Sequence, residues 1–276
     1  MVDWSGGGDR GPRPTKDAIW IAEARKGADF APIYMRNRVV AEAHLVAMIE
    51  SALSADARLL IGFDFPFGYP AGFARAVTGS DDPFALWKVL AAALPPSPAA
   101  RERVEVAAAL NAHCDGAGPF WFNPFSADVP GLPRKKPAAF PVPEWRAAEA
   151  EAKGAFSCWQ LGGAGSVGSQ ALTGIATLER LRTRFAGKVQ VWPFEPLDAP
   201  IALVEIWPSL IAATVAEGQK PEEIKDAAQV RILASAIRAL TPEELETILT
   251  VDHPLAKEEG WIFGLGHEET LVRAAR

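Results

Sequence analysis

The run LLIGF (59–63) carries no charge, ends on Asp64, and breaks at once into the aromatic, proline-kinked turn FPFGYP (65–70). An unbroken apolar run of that length, bounded by turn signals, reads as a strand buried on both faces. Such a strand needs other elements packed over it, which points to an α/β chain. It also puts a carboxylate at the end of a core strand, where an ordinary surface charge does not belong.

The flanking segments agree with that class. Residues 2–24 read as a short strand, a Gly/Pro/Asp loop and a second strand. APIYMRNR (31–38) reads as a third strand, and VVAEAHLVAMIESAL (39–53) has the three- and four-residue apolar spacing of an amphipathic helix. Beyond the turn, 82–94 and 100–113 read as helices, followed by a proline- and aromatic-rich stretch at 118–145. The whole of about 71–155 exceeds what a plain crossover needs and reads as an insertion or lid. A helix over 169–187, strands in 188–195 and 201–208, and a helix over 222–240 restore the α/β texture. No solenoid repeat is visible, and residues 1–276 are taken as one domain with an insertion.

Composition narrows the partners. With 276 residues, 49% of them apolar, the chain can bury a substantial core. Its 28 basic and 34 acidic residues leave a net charge of −6, so nothing draws it generally to a nucleic-acid backbone or an anionic membrane. A polyanion would have to be met by a local basic patch or by metal ions. Cys114 and Cys158 match neither a zinc spacing nor a disulfide framework and are expected as reduced thiols. No apolar run approaches the roughly 18 residues of a membrane span, and MVDWSGGGDRG lacks a signal peptide's apolar core. The expectation is a soluble cytoplasmic protein with no membrane partner.

Four acids are the site candidates: Asp3 at the end of the first strand, Asp64, Glu205 within ALVEIWP, and Asp226 within IKDAAQ. A lone buried carboxylate costs several kcal/mol, so acids on core strands converge on a cation or a hydrogen-bond network. Acids at strand ends also face the edge of an α/β sheet where ligands bind. Oxygen donors in such a cluster suit Mg2+ or Mn2+, and a pair of these ions roughly 3.5–4 Å apart hydrolyses phosphodiesters. Each acid also has an ordinary reading. Asp3 and Asp64 can be turn acceptors, Glu205 can pair with an arginine, and Asp226 can be a first-turn helix acid.

The motifs VDWSGG (2–7), IGFDFPFGYP (61–70), GSVGSQALTG (165–174), VEIWPS (204–209), KDAAQ (225–229) and EEGWIFG (258–264) together resemble the DUF429 family of predicted nucleases with a ribonuclease H-like fold. The resemblance implies a ribonuclease H-like mixed sheet flanked by helices, with the helical and proline-rich insertion after the fourth strand. It implies Asp3, Asp64, Glu205 and Asp226 as catalytic carboxylates and ligands of Mg2+ or Mn2+. Some members are linked to cobalamin or molybdopterin guanine dinucleotide synthesis. The expected activity is metal-dependent phosphodiester or phosphoanhydride hydrolysis of a nucleic acid or nucleotide.

Ser5 and Gly6 of WSGGGD, together with Gly165, Ser166, Gln170 and Lys225, are the candidates for binding phosphate. WSGGGD is similar to the phosphate loop of actin-like ATPases, and GAGSVG (163–168) has the GxGxxG form at a helix start, with Glu195 at the end of the next strand. These loops support an alternative, a nucleotide-binding phosphotransferase or ATPase. A third reading is a small-molecule binder whose acids are neutralised by arginines such as Arg36 and Arg38. The run RKK (134–136) could meet a phosphate backbone or form a solvated loop. The four histidines share no ligand spacing, and no serine- or cysteine-hydrolase motif is present.

Overall fold

In the computed structural model, which describes residues 1–25, 27–163 and 165–276, the chain opens with β1 (Val2–Asp3) and β2 (Ile19–Ile21). A small hairpin, β3 (Ala24–Arg25) and β4 (Ala28–Asp29), which the sequence pattern does not signal, precedes β5 (Ile33–Met35). Helix α1 (Arg38–Ser54) starts at Asn37, whose side chain accepts from the Val40 N–H at 3.0 Å. LLIGF forms β6 (Leu59–Phe63). The 71–155 segment holds α2 (Phe73–Thr78), α3 (Pro83–Ala93), α4 (Glu102–Asn111) and α5 (Ala147–Glu151). There follow α6 (Gly168–Arg184), β7 (Val189–Val191), β8 (Ile201–Glu205), α7 (Ala212–Gly218) and α8 (Lys225–Ala239). Three short helices, α9 (Pro242–Leu249), α10 (Ala256–Glu259) and α11 (Glu268–Ala274), end the chain.

The main sheet has six strands in the order β5-β2-β1-β6-β8-β7. Its first half, β5-β2-β1, is antiparallel, whereas β1, β6, β8 and β7 pair in parallel. The chain builds outward from β1 to one side, then crosses back to lay β6 on the other. The topological switch point therefore falls between β1 and β6, the position at which open α/β sheets bind ligands beyond the carboxyl ends of their strands.

Strict alternation divides the sheet into two buried faces. Val2, Ile19, Ile21, Ile61, Phe63 and Leu203 join one apolar cluster with α1, α3, α4 and α6. Met1, Trp20, Val204 and Ile206 belong to the other, with α8. The 71–155 segment supplies Phe73, Trp87, Leu90, Val104, Phe120 and Leu132 to the first cluster and so completes the core. Phe65 and Phe67 of the proline-kinked turn enter the same cluster. Gly174 of α6 makes room for that turn, since a Cβ there would lie 2.3 Å from the Phe65 ring.

Register decides the fate of Glu205. Val2 pairs with Phe63 and Phe63 with Glu205, so the Glu205 side chain lies on the face opposite Asp3, which pairs with Trp20. The expectation that Glu205 joins the carboxylate cluster is corrected here. Its two oxygens accept from Arg146 at 2.8 and 2.5 Å, and Oε2 also accepts from the Phe67 N–H at 2.9 Å. Arg146 is 1% and Glu205 2% exposed, and the Arg146 Nε–H donates to Glu149 at 3.0 Å. Burial opposes the Arg146 charge, but Glu205 and Glu149 outweigh it and hold the guanidinium protonated. This bidentate pair ties the end of the 71–155 segment to the central sheet. Glu205→Ala, which leaves a buried charge without its main partner, is expected to cost about 3–5 kcal/mol in chemical denaturation.

Candidate functional site

Asp3 ends β1 and Asp64 directly follows β6, so the two neighbouring strands at the switch point each deliver a carboxylate to the same end of the sheet. The Asp64 N–H donates to the Val2 carbonyl at 3.2 Å, continuing the strand pairing, and the Trp4 N–H donates to Asp64 Oδ1 at 2.6 Å. One backbone crossing thus fixes the second carboxylate against the chain that carries the first. Asp226 arrives in the first turn of α8, and its Oδ2 accepts from the Asp17 N–H at 2.8 Å.

Asp3 is 8% exposed, and among the described residues no donor hydrogen-bonds to its carboxylate. Burial, then the charges of Asp64, Asp226 and Asp17, raise its pKa well above the carboxylate range, with Lys225 partly offsetting them. Burial also drives Asp64 up to about 7, against the stabilising Trp4 N–H, and Asp226 adds repulsion. Asp226 is raised by burial as well, despite its bond from Asp17. Partly desolvated acids that repel one another beside a lysine are an arrangement found at ligand sites and in structural ion networks alike.

The expected phosphate-binding residues have mixed fates. Lys225 stands within electrostatic reach of Asp3 and Asp226. Ser5 donates to the Asp17 carbonyl at 3.0 Å and accepts from the Gly7 N–H at 3.2 Å, so its hydroxyl shapes the loop. Gln170 donates to the Trp4 carbonyl at 2.5 Å, and a Cβ on Gly6 would lie 2.5 Å from the Ser169 backbone. These two residues strap the 4–8 loop onto the start of α6. Ser166 turns back to the Gly163 carbonyl at 3.0 Å, and Gly165, at φ +75°, packs on Phe156.

Other sequence signals resolve into local structure. No strand is assigned to the residues before GAGSVG, Glu195 is bound by Arg182 at 3.1 Å, and Ala164 lies outside the described residues, so the dinucleotide-binding outline is not formed there. Arg134 is held by Asp128 and two carbonyls, and Lys136 by Glu144 at 2.5 Å. Arg36 pairs with Asp9 at 2.9 Å, and Arg38 donates to backbone carbonyls, so neither neutralises Asp3 or Asp64. Arg146 was not anticipated, although its place in EWRAAEAE, three residues before Glu149, is a helix-start ion-pair spacing.

Among the described residues no group of three or more His, Cys, Asp or Glu side chains is placed to hold a metal ion, and none of the helices is long and apolar enough to cross a membrane. Comparisons with protein-family profiles, curated proteins and solved structures find no match. The fold and site together define an α/β protein with a mixed six-stranded sheet, flanked by helices, that brings the buried Asp3 and the half-buried Asp64 to its switch point.

A carboxylate whose pKa is raised on folding binds its proton more tightly in the native state, so its contribution to stability is full below the unfolded value near 4 and is lost as pH rises toward 7. Asp64→Asn removes that loss. In metal-free buffer the variant is expected to gain stability over the wild type between about pH 4 and 7, by up to a few kcal/mol, with thermal unfolding across pH as the measurement.

Proposed function

We propose that the chain is a metal-dependent phosphodiester or phosphoanhydride hydrolase on a ribonuclease H-like sheet, with Asp3 and Asp64 as the ligands of Mg2+ or Mn2+ and Asp226 beside them. The observation that carries the reading is the Asp3 carboxylate, buried, without a hydrogen-bond donor among the described residues, and within electrostatic reach of a second, half-buried acid, Asp64. Two oxygen donors fit the group, because Mg2+ is commonly held by one or two carboxylates, with waters and substrate phosphates completing its shell. The bound cation would activate a water and stabilise charge on the phosphoryl oxygens.

The chain's own residues supply the rest. The Trp4 N–H holds Asp64 in one orientation and favours its ionised form. Asp226, tethered to the Asp17 N–H, keeps one oxygen for a water or a cation. Lys225 contributes a positive charge beside Asp3, suited to a phosphate ester of a nucleotide or nucleic acid. The antiparallel β5-β2-β1 unit followed by parallel β6 supports the ribonuclease H-like assignment, as do the motifs that resemble the DUF429 family.

Titration calorimetry with Mn2+ tests the reading. The wild type is expected to bind, Asp3→Asn and Asp64→Asn to bind at least about tenfold more weakly, and Glu205→Gln, if folded, to bind like the wild type. A wild type that binds no Mn2+, with or without a nonhydrolysable nucleotide, would contradict it.

A further inference from the structure

Around the glycine loop that follows Asp3 in the chain, three guanidinium groups gather without a matching set of carboxylates. Arg38 is 7% and Arg103 9% exposed. Arg38 donates to the carbonyls of Gly7, Ser97 and Ala99, and Arg103 to Ser169 Oγ at 2.7 Å and the Ala100 carbonyl. Each of those acceptors is neutral. Neither arginine makes an ion pair among the described residues, in contrast to Arg180 nearby, which is bound to Glu42 at 2.6 Å. Arg10, exposed and also without an ion pair, lies against Gly7, its Nη2 being 3.2 Å from where a Cβ would stand.

We propose that Arg10, Arg38 and Arg103, with the glycine loop at 6–8, form a receptor for a phosphate monoester group. Burying a guanidinium without a counter-charge is costly. Burial and the charges of Arg38 and Arg10 lower the pKa of Arg103 to about 10, and Glu102 is the one acid that offsets them. Three cations against that single carboxylate leave room for a dianion, the state of a phosphate monoester near neutral pH. Arg103 uses only two donors toward protein acceptors, out of the five a guanidinium carries, so most of its hydrogen-bonding capacity is unspent. The acceptors that hold Arg38 and Arg103 fix both forks in place before a ligand arrives, which lowers the entropic cost of binding.

The loop and helix add donors. Gly6 and Gly8 have no backbone acceptor among the described residues, and Gly6 rests on Ser169 in the first turn of the 17-residue helix α6. The cavity that Arg38 and Arg103 line with Ser97, Thr173, Glu102 and the Glu42-paired Arg180 has a volume of about 10 Å³, room for one phosphoryl oxygen. The loop runs on in the chain directly from Asp3. This goes beyond the metal-dependent reading and does not need it to hold.

The test is calorimetry in a chelating buffer free of divalent cations, using inorganic phosphate, a nucleoside 5′-monophosphate and dimethyl phosphate. The wild type is expected to bind the first two and to bind the diester at least about tenfold more weakly, with Arg10→Gln and Arg103→Gln each weakening the monoester about tenfold, the scale of one charge-assisted hydrogen bond. Absence of binding, equal binding of the diester, or unchanged affinity in both variants would overturn the proposal. Should Arg103→Gln fail to fold, the exposed Arg10→Gln decides alone. With divalent ions chelated, a negative result here leaves the Mn2+ titration of Asp3 and Asp64 unaffected.

Discussion

Everything at the candidate site depends on one constraint, the register that sets Val2 against Phe63 and Phe63 against Glu205. Side chains alternate along a strand, so a shift of one residue in either pairing would exchange the two faces. In the observed register Phe63 and Glu205 share the face covered by α1, α3, α4 and α6, whereas Asp3 shares the face of Trp20 beneath α8. The proline-kinked turn after Asp64 follows from the same constraint. Phe65 and Phe67 return the chain to the first face, and the carboxylate remains at the strand end beside β1.

The protein treats its buried acids in two ways. Glu205 has a bidentate arginine, a backbone N–H and a neighbouring Glu149 that shares the same guanidinium. That arrangement satisfies both oxygens and stiffens the joint between the sheet and the 71–155 segment. Asp3 has no donor among the described residues, and its nearest charges include three further acids. A fold selected for stability alone would not keep such a group, since replacing it with a neutral residue relieves repulsion. The short loop that runs on from Asp3 also meets the arginines, Arg38 donating to the Gly7 carbonyl and Arg10 lying against Gly7.

Much of the architecture was legible in the sequence because it rests on periodicity. LLIGF matches the central strand to the residue, the three- and four-residue spacing of 39–53 falls on α1, and the helices read over 169–187 and 222–240 overlap α6 and α8 with looser ends. The β3–β4 hairpin escaped notice because two-residue strands carry no pattern. Asp3, Asp64 and Asp226 could be singled out by their places on strands and a helix start. The departure of Glu205 could not, because face assignment depends on inter-strand register and on Arg146, a partner 59 residues away inside a stretch that reads as loop. The arginine cluster was equally hidden. Arg10, Arg38 and Arg103 come from a loop and two separate helices, and only the tertiary fold brings them together.

The central claim is that Asp3 and Asp64 form a cation site at the switch point of the sheet. Anomalous diffraction from crystals grown with Mn2+ locates the ion without reference to any substrate. A peak within about 2–2.5 Å of oxygens from both carboxylates, and absent from crystals of Asp3→Asn, is the result the account predicts. Crystals diffracting well with no anomalous density at these residues, or with the ion elsewhere on the surface alone, would contradict it.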